Sequence, residues 1–553
     1  MKAIFHLLAV NFLGQSPTWY KITIVSFLIL NPLLYYFVSP FVAGWVVLIE
    51  FIFTLACALK CYPLQPGGLI AIESIVIGLT NSHATYAEVL VNIPTLLLLI
   101  FMVSAIYFIK DILFLGMTKL FLVFRRKYVL SLAFCLICAS LSAFLDALTL
   151  VAVAIAVCFN FYAIYHRVKN HSGNEREMEE FRGFLRNLII HGTVGTIIGG
   201  AMTIVGEPQN IMIGTRMGWS FMGFIAHCAP VSLPAAIAGF IVCFSLEFFK
   251  CPGFQYQMPE SARQLILKDY KTKIDEMTEH NLYVYTVQAI VLVLLILALA
   301  LHVAEVGLIG IGLIIIVTAF TGLTKEHDLG VAFQNAMPFA MLIVVFFVIL
   351  GVVHEQRLVA PLAEWVFTFS GKSQLLALYI INGTLSFVSD NVFIATVFIT
   401  EVEMVYANGI ISQMMKEVNL EAAYANGNVA RTITQYISSF PDIKIAPDCA
   451  IITQLIKDVD TACASGTFAE LAAKYADKTV IAGEEFEKLA VVVNMGTNIP
   501  AMATPNGHAA LLFLLTSALA PLLNLSYFRM FLLTLPYTLA MSLTGGLAIY
   551  FFL

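Results

Sequence analysis

Charge is what this sequence has least of. Asp, Glu, Lys and Arg make up 12 % of its 553 residues, about half the share of a soluble domain. That deficit excludes an ordinary soluble enzyme and a disordered chain. Enzyme signatures are missing too. There is no Walker A lysine loop and no GxSxG elbow, and His354-Glu355-Gln356-Arg357-Leu358 lacks the second histidine of a HExxH zinc site. No cofactor is expected. Basic clusters are short and sit beside apolar runs, which suits membrane topology rather than nucleic acid. The ten cysteines are too scattered for a disulfide-stapled secreted domain. Cys135 and Cys138 fall inside an apolar run and read as core packing; Cys449 and Cys463 share a polar stretch where pairing stays open. A cleavable leader is not expected, because Asn11 and Gln15 interrupt the apolar stretch after Lys2.

What is present is apolar: 60 % hydrophobic residues and a mean hydropathy of +0.89. These residues fall in runs of about 20, the length that crosses a hydrocarbon core. The chain is therefore expected to be an all-α polytopic membrane protein. Spans are predicted near 22–38, 41–59, 67–80, 88–109, 128–163, 187–213, 219–248, 281–301, 305–323, 333–353, 373–400, 489–516 and 528–552. Segments 128–163 and 373–400 are each centred on an aspartate, Asp146 and Asp390. Arg125, Arg126 and Lys127 before the first, and Arg167 and Lys169 after it, predict a chain that enters and leaves on one side, as a re-entrant hairpin does. Segments 187–213 and 489–516 contain Gly206-Glu207-Pro208-Gln209-Asn210, Gly496-Thr497-Asn498-Ile499-Pro500 and Thr504-Pro505-Asn506-Gly507. Proline and glycine break helices, and a break at membrane depth survives only where protein or a wet cavity serves the freed backbone groups.

These features recur in one order. Ser142 to Asp146 resembles Ser386 to Asp390, and pairing Pro208 with Pro505 aligns the two breaks. The chain then reads as a leading segment 1–40, a first repeat 41–248, a cytoplasmic linker 249–280 and a second repeat 281–553 with a polar insertion 414–488. Amphipathic stretches 112–124 and 358–370 precede the hairpins and suit the interface. About 11 transmembrane helices, two re-entrant hairpins and two broken helices follow, in inverted repeats. With this assignment 20 of the 30 Lys and Arg are cytoplasmic, and Arg216, Arg357 and Lys372 are in short external loops. The N-terminus is then cytoplasmic, and the C-terminus and insertion are external.

Ionisable residues at membrane depth are costly and therefore functional candidates. Asp146, Asp390 and Glu207 all neighbour broken backbone. Asn210, Asn391, Asn498, Asn506, Thr149 and Thr504 add neutral oxygens of the kind hard cations prefer. The expected groupings are Asp146 with Glu207 and Asn210, and Asp390 with Asn498 and Asn506, with Na+ at the two aspartates. Broken helices from two repeats meeting at the midplane are a common site in secondary transporters. His191 and His508 are expected to make packing contacts, and Glu50, Glu73 and Glu305 to be structural or interfacial. Two alternatives are an anion or dicarboxylate permease and an intramembrane enzyme. The absence of Lys and Arg from mid-span opposes the first, and missing catalytic motifs oppose the second.

Longer motifs carry a resemblance. Asn11-Phe12-Leu13-Gly14-Gln15-Ser16-Pro17, Phe41-Val42-Ala43-Gly44-Trp45, Leu59-Lys60-Cys61-Tyr62-Pro63-Leu64, Leu141 to Thr149, Val205 to Asn210 and Ala503 to Gly507 resemble the bacterial NhaB family of Na+/H+ antiporters. The resemblance implies a Na+ exporter of the bacterial inner membrane, driven by protons, with Na+, H+ and Li+ as partners in a lipid bilayer and a homodimer as a possible assembly. It also leads one to expect a shorter insertion after residue 414 than this chain has. Na+ and H+ would compete for a desolvated carboxylate, bound in turn as the protein alternates its access.

Overall fold

The computed structural model describes residues 10–58, 60–145, 147–169, 175–301, 303–387, 391–439, 450–475 and 482–553. Asp146 and Asp390 lie outside the described residues, as do His302 and Cys449. Among the described residues every regular element is helical. In chain order they begin α1 (Thr18–Phe37), α2 (Pro40–Ala56), α3 (Leu64–Ile77), α4 (Ser82–Val91), α5 (Lys110–Val123), α6 (Lys127–Ser142), α7 (Ala147–Lys169), α8 (Glu175–Gly200), α9 (Pro208–Arg216) and α10 (Phe221–Phe248). They continue as α11 (Glu260–Asp275), α12 (Glu279–Ala300), α13 (Val306–Thr321), α14 (Glu326–Glu355), α15 (Ala360–Phe367), α16 (Lys372–Ser386), α17 (Asn391–Glu417), α18 (Gly483–Asn498), α19 (Ala509–Thr516) and α20 (Tyr527–Phe552).

Local chemistry sets many boundaries. Ser39 accepts the Val42 N–H ahead of Pro40, a cap followed by proline in the first turn of α2. Ser220 and Ser526 cap α10 and α20 likewise. Gly78 ends α3 in the left-handed region. Among the described residues seven helices are long and apolar enough to cross a bilayer, so the chain is a multi-pass membrane protein. Segment 88–109 is not one helix, as expected, but short pieces around a π-helical turn at Leu98–Met102. A 61° bend then leads into α5, which covers the predicted amphipathic stretch. The insertion region contains the helices Leu420–Ala425, Val429–Ser439, Ala450–Ser465 and Phe468–Tyr475. It begins later than the hairpin estimate implied, because α17 runs on to Glu417.

The buried stretches of two helices carry polar residues among apolar ones. Every residue from Gly183 to Gly200 of α8 and from Leu489 to Asn498 of α18 is buried. Neither helix is among the seven apolar spans. A helix surrounded by protein is freed from the need to match lipid, so Thr193, Thr196, Asn494 and Asn498 are tolerated there.

The two halves pack alike. α6 lies along α8, and α16 along α18. The second arms cross over: α7 packs against α19, and α17 against α9. α10 and α20 pack against each other, and each also touches the first arm of its own half, α6 or α16. A Cβ at Gly195 or Gly199 would collide with the carbonyls of Cys135 and Ala139, so α8 can seat on the α6 backbone only through glycine. In the second half Gly496 of α18, the counterpart of Gly195, packs against Tyr379 and Asn382 of α16, and Gly383 of α16 makes room for Pro500.

Candidate functional site

Both helix breaks are built on one plan. After α8 ends at Gly200, the Thr203 hydroxyl donates to the Ala143 carbonyl (2.7 Å), beyond the end of α6, and accepts the Gly206 N–H (3.2 Å). After α18, the Thr504 hydroxyl donates to the Phe387 carbonyl (2.7 Å), beyond the end of α16, and accepts the Gly507 N–H (3.1 Å). A side chain at Gly206 would strike Gly200, and one at Gly507 would strike Ser386 and Ala501. Thr203 therefore corresponds to Thr504, and Gly206 to Gly507. This corrects the register: the counterpart of Pro208 is Ala509, not Pro505. Pro208 opens α9, whereas Pro505 lies in the loop before α19.

The same register sets Glu207 opposite His508. His508 Nε2 lies 3.3 Å from Glu207 Oε1, both side chains being buried. The pair is off the hydrogen-bond line, and neither atom has another partner. His508 Nδ1 accepts the Ala510 N–H and caps α19. A neutral His508 therefore carries its proton on Nε2, facing Glu207.

One turn further, the breaks are joined by amides. Gln209 Nε2 donates to Asn498 Oδ1 (2.7 Å), and Asn498 Nδ2 donates to Asn210 Oδ1 (3.0 Å) and to Asn494 Oδ1 (3.0 Å). Asn210 in turn donates to the carbonyls of Gly200 (2.8 Å) and Thr203 (2.7 Å), closing the first break. All four amides are fully buried. A buried amide without partners is costly, so this chain holds α9 against α18 in one arrangement.

The expected groupings turn on Asp146 and Asp390, which lie outside the described residues; among the described residues, further contacts join the two halves. Asn210 meets Asn498, and Glu207 meets His508. Asn391, the first residue of α17, is fully buried, and neither polar atom of its side chain has a partner among the described residues. Gln209 Oε1, Ser142 Oγ and Ser386 Oγ are unpartnered too. Asn506 is half-buried, with its Oδ1 unpartnered. Thr149 is half-buried on the first turn of α7. Thr504 closes the loop after α18 through its bonds to Phe387 and Gly507. Gln209 and Asn494 were not foreseen. Asn494 lies one helical turn before Asn498 in an otherwise apolar run, which is the signal for it.

His191 does make packing contacts, as expected, but in a charged setting. Its ring bonds Tyr537 and Glu247 Oε1 (2.8 Å), and Lys127 Nζ lies 2.7 Å from Glu247 Oε2. Glu50 and Glu73, expected as separate structural residues, converge on one asparagine.

Comparison with known proteins identifies a family. The family model described as bacterial Na+/H+ antiporter B (NhaB) matches residues 1–435 and 451–553. A protein of Yersinia enterocolitica named Na+/H+ antiporter NhaB is 45 % identical over 98 % of this chain and 93 % of its own length. Its namesake in Shewanella denitrificans is 44 % identical over 97 % and 92 %, and that of Teredinibacter turnerae 43 % over 98 % and 97 %. Within the insertion, the family model leaves residues 436–450 unmatched.

Proposed function

The chain belongs to the bacterial Na+/H+ antiporter B family, and from that premise we propose that it moves Na+ out of the cell in exchange for external protons. The relatives named above are antiporters, which favours exchange over the anion permease and the enzyme. The observation that carries the reading is the run Gln209–Asn498–Asn210, which ties the break of one half to the break of the other. Discontinuous helices offer free carbonyls and helix ends to a small cation. Asp146 and Asp390 are proposed as the carboxylates for which Na+ and H+ compete, with Asn391, Glu207 and Thr149 beside them and Li+ as an alternative cargo. Asn391 is suited to this role, because its buried side-chain oxygen has no protein donor.

Eleven crossings and two re-entrant hairpins in inverted repeats are proposed as the topology. Side-chain contacts support it. Lys127 Nζ donates to Phe254 O, Arg263 to Leu122 O, and Tyr165 Oη sits 3.3 Å from Ser261 Oγ. The start of α6 and the end of α7 thus both meet the linker around α11, as the two ends of a hairpin should. Lys372, assigned outside, bonds the carbonyl of Tyr550 near the C-terminus. In the proposed cycle each hairpin moves with the broken helix it touches, exposing the carboxylates to one side at a time.

Purified protein in liposomes tests the function, with an imposed Na+ gradient and a pH-sensitive dye inside. Protons should move against the Na+ flux and should not respond to an equal K+ gradient. No proton movement with Na+ in correctly inserted protein overturns the proposal.

A further inference from the structure

Away from the broken helices, α1, α2 and α3 bury a second acidic group. Asn31 of α1 donates from a single nitrogen to Glu50 Oε2 of α2 (2.7 Å) and to Glu73 Oε2 of α3 (2.8 Å). The two carboxylate oxygens are therefore within about 5.5 Å of each other, the sum of the two bonds, where like charges repel strongly in a low dielectric. Asn31 is fully buried and Glu50 is 3 % exposed. Two more atoms of this cluster, Asn31 Oδ1 and Glu50 Oε1, are buried without a partner. Both are acceptors, so neither can satisfy the other. A hydrogen on Glu50 Oε1 turns it into a donor, and the amide whose nitrogen already holds Glu50 offers the matching oxygen.

The surroundings supply no counter-charge. Among the described residues no ion pair reaches Glu50 or Glu73. Each is the one titratable residue of its own helix. α1 adds Tyr20, Lys21, Tyr35 and Tyr36, and Lys21 Nζ donates to the Val10 carbonyl. α14, which packs against α2 and α3, carries its titratable groups at its ends: Glu326, His327 and Asp328, then His354 and Glu355. Beside Glu73, Ile72 and Val76 are 62 % and 77 % exposed, the mark of a lipid-facing surface. An ionised carboxylate next to that surface is expensive.

We infer that Asn31, Glu50 and Glu73 form a proton-holding site, in which the two carboxyls share one proton while the protein is folded. It gives this chain a second place, apart from the helix breaks, where a proton is bound. The inference does not rest on Na+/H+ exchange, and its test needs no transport.

Infrared spectra of the purified full chain at neutral pH, wild type against the E50Q/E73Q double variant, read the site directly. The double variant should lose the intensity of one carboxylic acid and of one carboxylate. Loss of two carboxylates with no change in the acid band overturns the inference. Should the double variant not fold, E50Q alone decides. A drop in the acid band, or a shift of that band as the proton passes wholly to Glu73, supports the shared proton, and an acid band unchanged in intensity and position refutes it. Thermal unfolding adds a second readout. Because the proton stabilises the fold, wild-type Tm should fall as the pH rises through its release, whereas E50Q should stay level over the same range. Parallel curves for the two proteins count against the site.

Discussion

The two helix breaks share a backbone plan and differ in chemistry. In each, a threonine hydroxyl ties the loop to the end of a hairpin helix, and a glycine three residues later admits close backbone contact. Yet the position after that glycine is Glu207 in one half and His508 in the other. Asn498, which gathers the cross-half amides, has the apolar Ile197 as its counterpart. Duplication thus accounts for the scaffold, and divergence of a few buried polar residues accounts for the site.

The comparison can be broken most forcefully at its shared contacts. Gly206→Leu and Gly507→Leu each force a side chain into backbone, and each should cost several kcal/mol and abolish folding in the membrane. Gly312→Ala, where no atom lies within 4 Å, should be neutral as measured by thermal unfolding. Harm from only one of the two leucine variants would show that the halves are not equivalent. The asymmetry is sharpened next. Asn498→Leu strands Gln209 and Asn210 and should cost about 1–3 kcal/mol, with a weaker response to Na+ in liposomes. The counterpart change Ile197→Val should cost about 1 kcal/mol and leave the Na+ response alone. Smallest are Thr203→Val and Thr504→Val. Each removes the same pair of loop bonds, so each should lower stability by about 1 kcal/mol, and the double variant should show the sum.

Much of the frame was legible in the sequence because its signals are local. Gly206 to Asn210 and Gly496 to Pro500 break helices by their own backbone chemistry, and both breaks occur where they were expected. Partners are another matter. Nothing near Asn210 announces its contact with Asn498, far along the chain. Pro208 and Pro505 misled the register because a proline can open a helix or sit in the loop before one, whereas the threonine and glycine pairs have a single structural use. Glu50 and Glu73 looked like isolated interfacial acids because Asn31, which joins them, is a plain asparagine in an apolar helix.

If carboxylates from both halves hold the exchanged ion together, the decisive measurement is Na+-driven proton movement in proteoliposomes containing Asp146→Asn or Asp390→Asn protein. Each substitution alone should abolish the movement while the protein still inserts and folds. Wild-type rates in either variant would contradict a site shared between the halves.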